Sequence, residues 1–361
     1  MKMPIRIIIA VFCAALILCM PFFLSSPRML SEARETYLYS EDEDEGEDES
    51  MSFGRLLFGA ALADEASAAE VSDEEDPFGA PAKLSVPAAW VLPWDFSVPP
   101  IPDPDGFTAD GYEDESIRVR LEKKDTEAYC IHIVHVEIAS PSQLRTTTAY
   151  GRFDRAMYMD KMAKSCNAVI AMNGDLFIEM AEKKKFEIRM TQTVGKREGT
   201  NKKKDTLIID KNGDFHLFVR SDGLAEFRDN HRDEIANAFM FGPALVMDGE
   251  IVETESYDYN PKGHEPRSAI GQTGPLSYVL VVVEGKMADR GITIAELAEV
   301  MLEAGCTQAY ALDGGNTAEM IMIGPDADHP QLHVKGRPNA EYRTHSDIIY
   351  FATAVPETDR K

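Results

Sequence analysis

Apolar and polar positions set a strand-dominated rhythm along the second two-thirds of the chain. "AYCIHIVHVEI" (128–138) and "NAVIAMNG" (167–174) read as strands, and "LSYVLVVVEG" (276–285) is an apolar run of the buried-strand type. "TLIID" (206–210) and "FHLFV" (215–219) flank "KNGD" as a hairpin. One stretch repeats at helical spacing instead, "TIAELAEVMLEAG" (293–305), where Thr293 and Glu296 match a capping box and Gly305 the terminating position. Strands outnumber helices, so the predicted fold class is α+β (mixed α/β), a twisted mixed β-sheet with packed helices. His132 and His135, three apart in one strand, point to opposite faces and cannot share a metal.

Charge divides the chain. The net charge is −25, and residues 32–115 hold 24 acidic residues against three basic ones. The expected organisation is a signal anchor or signal peptide at 1–30, an acidic low-complexity segment at 31–76, a Pro-rich linker at 77–115 and a single catalytic domain at 116–361. The apolar run from Ile7 to Leu24 behind Lys2 and Arg6 predicts an uncleaved anchor in preference to a cleaved signal. The globular part is therefore expected outside the cytoplasm, tethered to the membrane by its N-terminus. Eight prolines fall between 77 and 104, together with "WVLPWDF", which carries both tryptophans. That piece either packs on the following domain or binds a partner.

An acidic balance of this size opposes nucleic acid as a partner. The basic runs "EKKKFEIR" and "NKKKD" are read as solvated loop or hairpin surface. Five cysteines show no CxxC and no zinc spacing; Cys130, Cys166 and Cys306 read as buried small apolar residues.

Candidate chemistry gathers at strand ends, where sites are usually built. "QAYALDGGNTAEM" ends an apolar strand in Asp313, followed by Gly314 and Gly315, which permit positive φ and close approach, then Asn316 and Thr317. "NAVIAMNGDLF" ends in Asn173, Gly174 and Asp175; "HEPRSAIGQ" sets Arg267 and Ser268 before a strand; "EYRTHSDIIYF" sets Arg343, Ser346 and Asp347 before another.

In their order, "AMNGDLF", "FGPALV", "PRSAIGQ", "GITIAELAEVMLEAG", "ALDGGNTAEM" and "RTHSDIIYF" resemble the phosphodiester glycosidase family in its bacterial exported branch, over residues 118–353. Asn316 stands where many relatives have a third glycine, and Leu176 with Phe177 where many have two aromatics. The resemblance implies hydrolysis of the anomeric C–O bond of a sugar-1-phosphodiester, or binding of a phosphorylated glycan, in cell-envelope or exopolysaccharide material. The leaving phosphate monoester has a pKa of about 6, so positive charge and a carboxylate matter more than a strong general acid.

On that resemblance Asp313 is expected as nucleophile or general base, with Asp175 second, and Arg267 as phosphate clamp, with Arg343 second. Asn173, Ser268, Asn316 and Thr317 would hold sugar hydroxyls and phosphate oxygens. The amides about Gly174, Gly314 and Gly315 would line the substrate. Asp347 would cap its strand or orient Arg343. No cofactor is required by this scheme; Asp175 and Asp347 also admit a divalent cation such as calcium. Two other readings remain open, a non-catalytic phosphoglycan-binding protein and a metal-dependent phosphoesterase.

Overall fold

A computed structural model describes residues 83–152, 154–175, 187–194, 204–254, 261–286, 290–326, 329–340 and 343–360. The expected anchor, the acidic segment, the first linker prolines and Leu176 with Phe177 lie outside the described residues. Among the described residues no helix is long and apolar enough to cross a membrane.

The first sheet has nine strands. Its order is β1 (Phe107–Thr108), β2 (Gly111–Glu113), β3 (Ile117–Asp125), β4 (Tyr129–Ile138), β15 (Ser277–Gly285), β14 (Ser268–Gly274), β16 (Gln308–Leu312), β12 (Ala244–Met247) and β13 (Glu250–Ile251). A second sheet runs β10 (Phe215–Phe218), β9 (Thr206–Asp210), β11 (Ile235–Phe239), β7 (Glu187–Arg189), β8 (Gln192–Val194). The third runs β18 (Leu332–Lys335), β17 (Glu319–Met322), β6 (Ile170–Asn173), β19 (Asp347–Phe351), β5 (Leu144–Thr148). Among the described residues three α-helices, α1 (Met159–Ser165), α2 (Leu224–His231) and α3 (Ile294–Glu303), pack on these sheets.

The fold is mostly β-sheet with a few helices, which narrows the sequence expectation. Instead of one mixed sheet the described residues form three, and the ladders between their strands are antiparallel. The helical crossover through α3 explains why. It joins β15 to β16, which run parallel to each other, but β14 lies between them and pairs antiparallel with both. A sequence shows the crossover and not the inserted strand.

Alternation along β15 divides the core. Tyr278, Leu280 and Val282 face an interior shared with Ile170, Met172, Leu207, Phe239, Ile349 and Phe351 of the two smaller sheets. Val279, Val281 and Val283 face Leu297, Ala298 and Met301 of α3. Burying such side chains contributes about 1.5–3 kcal/mol each. The α3 N-terminus carries both halves of the capping box, Thr293 and Glu296, and Gly305 follows with φ +84°.

The globular unit takes in more than residues 116–361. β1 and β2 join the nine-stranded sheet. Arg145, with no exposed surface, holds the preceding segment through its carbonyls: Nη1 donates to Pro93 at 2.9 Å, and Nη2 to Asp95 at 2.6 Å and Ser97 at 3.2 Å. Trp90 Nε1 donates to Asp359 at 2.9 Å. Of the two readings of "WVLPWDF", packing on the domain is the one the contacts describe.

Candidate active site

Two strand ends meet where the third sheet abuts the first. β6 stops at Asn173, and the Asn173 amide crosses to the loop after β16: Nδ2 donates to the Asp313 carbonyl at 2.9 Å while Oδ1 accepts from the Glu319 N–H at 3.1 Å. The same Asp313 carbonyl accepts from Ser268 Oγ at 2.9 Å, at the start of β14. Asn173 and Ser268, both fully buried, therefore act here as braces, their side chains turned to the protein main chain.

The bracing holds the main chain of Asp313 and leaves its carboxyl to other work. Asp313 Oδ2 is buried with no hydrogen-bond partner, a costly state for a carboxylate. Burial pushes the group up to about 6; the Thr317 hydroxyl and the charges of Arg343 and His345 pull it down, and Asp175 pushes it up. A carboxyl poised near 6 suits a nucleophile or general base at neutral pH.

The two glycines have separate causes. A Cβ on Gly314 would sit 2.8 Å from the Pro266 carbonyl oxygen, and Gly315 adopts φ +60°. The Gly315 N–H donates to that carbonyl at 2.8 Å, so it closes the turn and does not point to an anion. Thr317, nearly buried, accepts from Arg343 Nη1 at 3.0 Å, and Asn316 Oδ1 accepts from Arg337 Nη1 at 3.2 Å.

Arg267 is 7% exposed. Its Nε donates to the Ile292 carbonyl at 3.1 Å and its Nη2 to Gly263 at 2.8 Å. Burial lowers its pKa, with Glu265 opposing. The guanidinium pins the loop ahead of β14, which is the structural role that a strand-end arginine can take in place of a phosphate clamp. The exposed Arg343 is the cation set over the Asp313 loop.

Asp175 and Asp347 belong to a different construction. Both side chains are fully buried against Arg189: Nη2 lies 2.6 Å from Asp175 Oδ1 and Nε 2.6 Å from Asp347 Oδ2. Glu187 Oε2 accepts from Arg189 Nη1 at 3.0 Å, and the guanidinium stacks 4.0 Å from the centre of the Phe239 ring. Three carboxyls share one cation. Burial raises Asp347 to about 7 and Glu187 well above its ordinary value, with Asp175 adding repulsion to both and Arg189 opposing. Burial also works against the Arg189 charge, but Asp347, Asp175 and Glu187 outweigh it and keep its pKa above the usual arginine value. Gly174 has no room for a side chain because a Cβ there would run into the Asp347 carboxylate.

This cluster corrects the reading of "EKKKFEIR". Glu187 and Arg189 are 1% and 0% exposed, and β7 carries them into the interior. Their i, i+2 spacing beside Ile188 and Met190 was the available signal: two charges on one face of a short strand whose other face is apolar. Glu319, His333 and His345 were also missed. Glu319 Oε1 accepts from His333 Nε2 at 2.6 Å and Oε2 from His345 Nε2 at 2.7 Å. Burial works against the Glu319 charge, yet the two imidazoles hold its pKa down to about 2.

A cation at Asp175 and Asp347 would have to displace the Arg189 guanidinium. Among the described residues no group of three or more His, Cys, Asp or Glu side chains is arranged to hold a metal ion.

The chain is similar in parts to several known proteins. A stretch of 92 residues, 24% of the chain, is 35% identical to the SPbeta prophage-derived uncharacterized protein YomE of Bacillus subtilis (strain 168). Another of 84 residues, 23% of the chain, is 33% identical to N-acetylglucosamine-1-phosphodiester alpha-N-acetylglucosaminidase of Bos taurus. These matches span 14% and 16% of the relatives' own lengths. The catalytic domain of the zebrafish N-acetylglucosamine-1-phosphodiester alpha-N-acetylglucosaminidase, solved auto-inhibited by its pro-peptide, superposes with a TM-score of 0.50 at 15% identity. That superposition covers 66% of this chain and 83% of that one and shows a shared fold. The phosphodiester glycosidase model matches residues 166–352, just over half the chain and inclusive of Asn173, Asp175, Arg267, Asp313, Arg343 and Asp347. The chain belongs to the phosphodiester glycosidase family.

Proposed function

We propose that the domain is a hydrolase that cleaves the anomeric C–O bond of a sugar-1-phosphodiester, with Asp313 as the reacting carboxylate. The observation that carries this reading is the buried, unpartnered Asp313 Oδ2 at the meeting of two sheets, under the cationic Arg343. Family membership supplies the substrate class, and the names of the vertebrate relatives favour N-acetylglucosamine as the sugar.

The chemistry follows from the groups present. The bond from the anomeric carbon to the phosphate oxygen breaks, the electron pair leaves with the phosphate, and water ends on the sugar. A phosphate monoester leaves readily without a strong acid because its last pKa is about 6. Arg343 would balance its charge, while ionised Asp313 would stabilise the positive sugar carbon by direct attack or by taking a proton from water. The cell-envelope setting rests on the apolar residues 7–24, which lie outside the described residues.

The test is release of free N-acetylglucosamine from UDP-N-acetylglucosamine or a simple sugar-1-phosphodiester by the purified protein, with Asp313→Asn and added EDTA as arms. Release by wild type alone, unchanged by EDTA, supports the side-chain mechanism. Loss of sugar release with EDTA points to a cation taking part in the hydrolysis, an EDTA-sensitive release of sugar-1-phosphate in place of free sugar points to the metal-dependent phosphoesterase, and glycan binding without release from any sugar tried points to a binding protein.

A further inference from the structure

The loop after Asp313 and the segment before β19 are joined at alternate residues. Arg343 Nη1 donates to Thr317 Oγ1 at 3.0 Å, and two residues on, His345 Nε2 donates to Glu319 Oε2 at 2.7 Å. Each rung sets a basic side chain against the loop that presents Asp313.

The second rung is the more rigid. His345 is 3% exposed, and its N–H and carbonyl both pair with Met157, at 2.7 and 2.9 Å. Glu319 is fixed on three sides, by His345, by His333 and through its own N–H by Asn173, the side chain that also holds the Asp313 carbonyl. One asparagine thus ties the main chain of the reacting residue to that of the residue gripping His345.

We propose, building on the glycosidase reading, that Glu319 and His345 are positioning residues that govern the charge of Asp313. The Glu319 carboxylate, 2.7 Å from Nε2, gives the buried His345 ring a charged partner at a place where an unpaired cation would not be tolerated. A positive ring held there would favour the ionised Asp313 carboxylate without touching substrate. The groups that face Asp313 divide by sign. Asp175, after β6, drives a proton onto it; Arg343 and His345, before β19, draw it off. Arg267, at the start of β14, lies beside Gly314. His333 on β18 reaches the network only through Glu319, whose carboxylate stays ionised between its two imidazoles. The Arg189 cluster lies beyond Asp175 and holds that acid in place.

The test reads the Asp313 carboxyl directly, by carbon NMR of the full-length protein across pH, with the signal assigned through Asp313→Asn. His345→Gln raises the Asp313 midpoint by about one unit. Glu319→Gln moves it the same way, and His333→Gln moves it less. An unmoved midpoint in folded His345→Gln overturns the proposal. Should that variant not fold, an unmoved midpoint in folded Glu319→Gln overturns it equally. Sugar release over the same pH range separates the two claims: a midpoint that moves in a protein releasing no sugar retires the glycosidase reading and keeps the dyad. Release with an unmoved midpoint does the reverse.

Discussion

Arg189 Nε lies 2.6 Å from Asp347 Oδ2, and neither side chain reaches solvent. The contact makes an acid at the start of β19 part of an internal ion cluster, with Asp175 held on another nitrogen of the same guanidinium. The two other candidate carboxylates are thereby committed to the buried ion cluster.

Removing the shared cation leaves three buried acids without a counter-charge. Arg189→Met is expected to cost about 3–5 kcal/mol at pH 8 and less at pH 5, where the raised Asp347 and Glu187 carboxyls hold protons. Urea denaturation at the two pH values checks this. In the wild type, Asp347 with a folded value of about 7 binds its proton more tightly folded than unfolded. Its contribution therefore makes stability fall as pH rises from the ordinary carboxyl value of 3.8 towards 7.

Asp313→Asn should leave the fold intact, because Asn173 and Ser268 grip the main-chain carbonyl and not the carboxyl. Sugar release should fall by about 10²–10⁴-fold. The variant should also be more stable than wild type at pH 7, by on the order of 1–2 kcal/mol, since burial raises the acid to about 6. Part of the residue meets solvent, which keeps the gain modest. At pH 3.5, below the ordinary carboxyl value of 3.8, most of the gain should be gone from the urea midpoints.

The pH profile of kcat/KM has a defined acidic limb. With Asp313 acting as the anion, the rate rises with pH through about 6 and levels above it. A rate that falls through that range would give the protonated form the working role.

The two glycines should fail differently. Gly315→Ala meets open space but keeps a left-handed φ, a cost of about 1 kcal/mol. Gly314→Ala meets the Pro266 carbonyl at 2.8 Å and must displace main chain between β14 and β16. It should therefore lose more stability in denaturant titration, and sugar release with it.

Much of this was legible in one dimension. The alternation in β4, the β9–β10 hairpin and the capped α3 are local patterns, decided by side-chain period and turn chemistry within a dozen residues. The ordered motifs ending in Asn173, Asp313, Arg267 and Asp347 likewise carried the family, because each glycine or polar residue there answers to a strand end.

What the sequence could not contain was which polar groups face each other. Arg267 and Arg189 are both arginines beside strands; one holds a loop through carbonyls and the other neutralises acids 14 residues before it and 158 after it. Gly315 permits its turn by its own lack of a side chain, a local property, but the direction of its N–H depends on Pro266. The pairing of Glu319 with His333 and His345 rests on β17 lying between β18 and β6, with β19 beyond. The chain alone determined its strands, its capped helix and its family. Only the folded sheets decided the charge environment of Asp313, because burial and Coulomb forces act through space between residues that no sequence spacing connects.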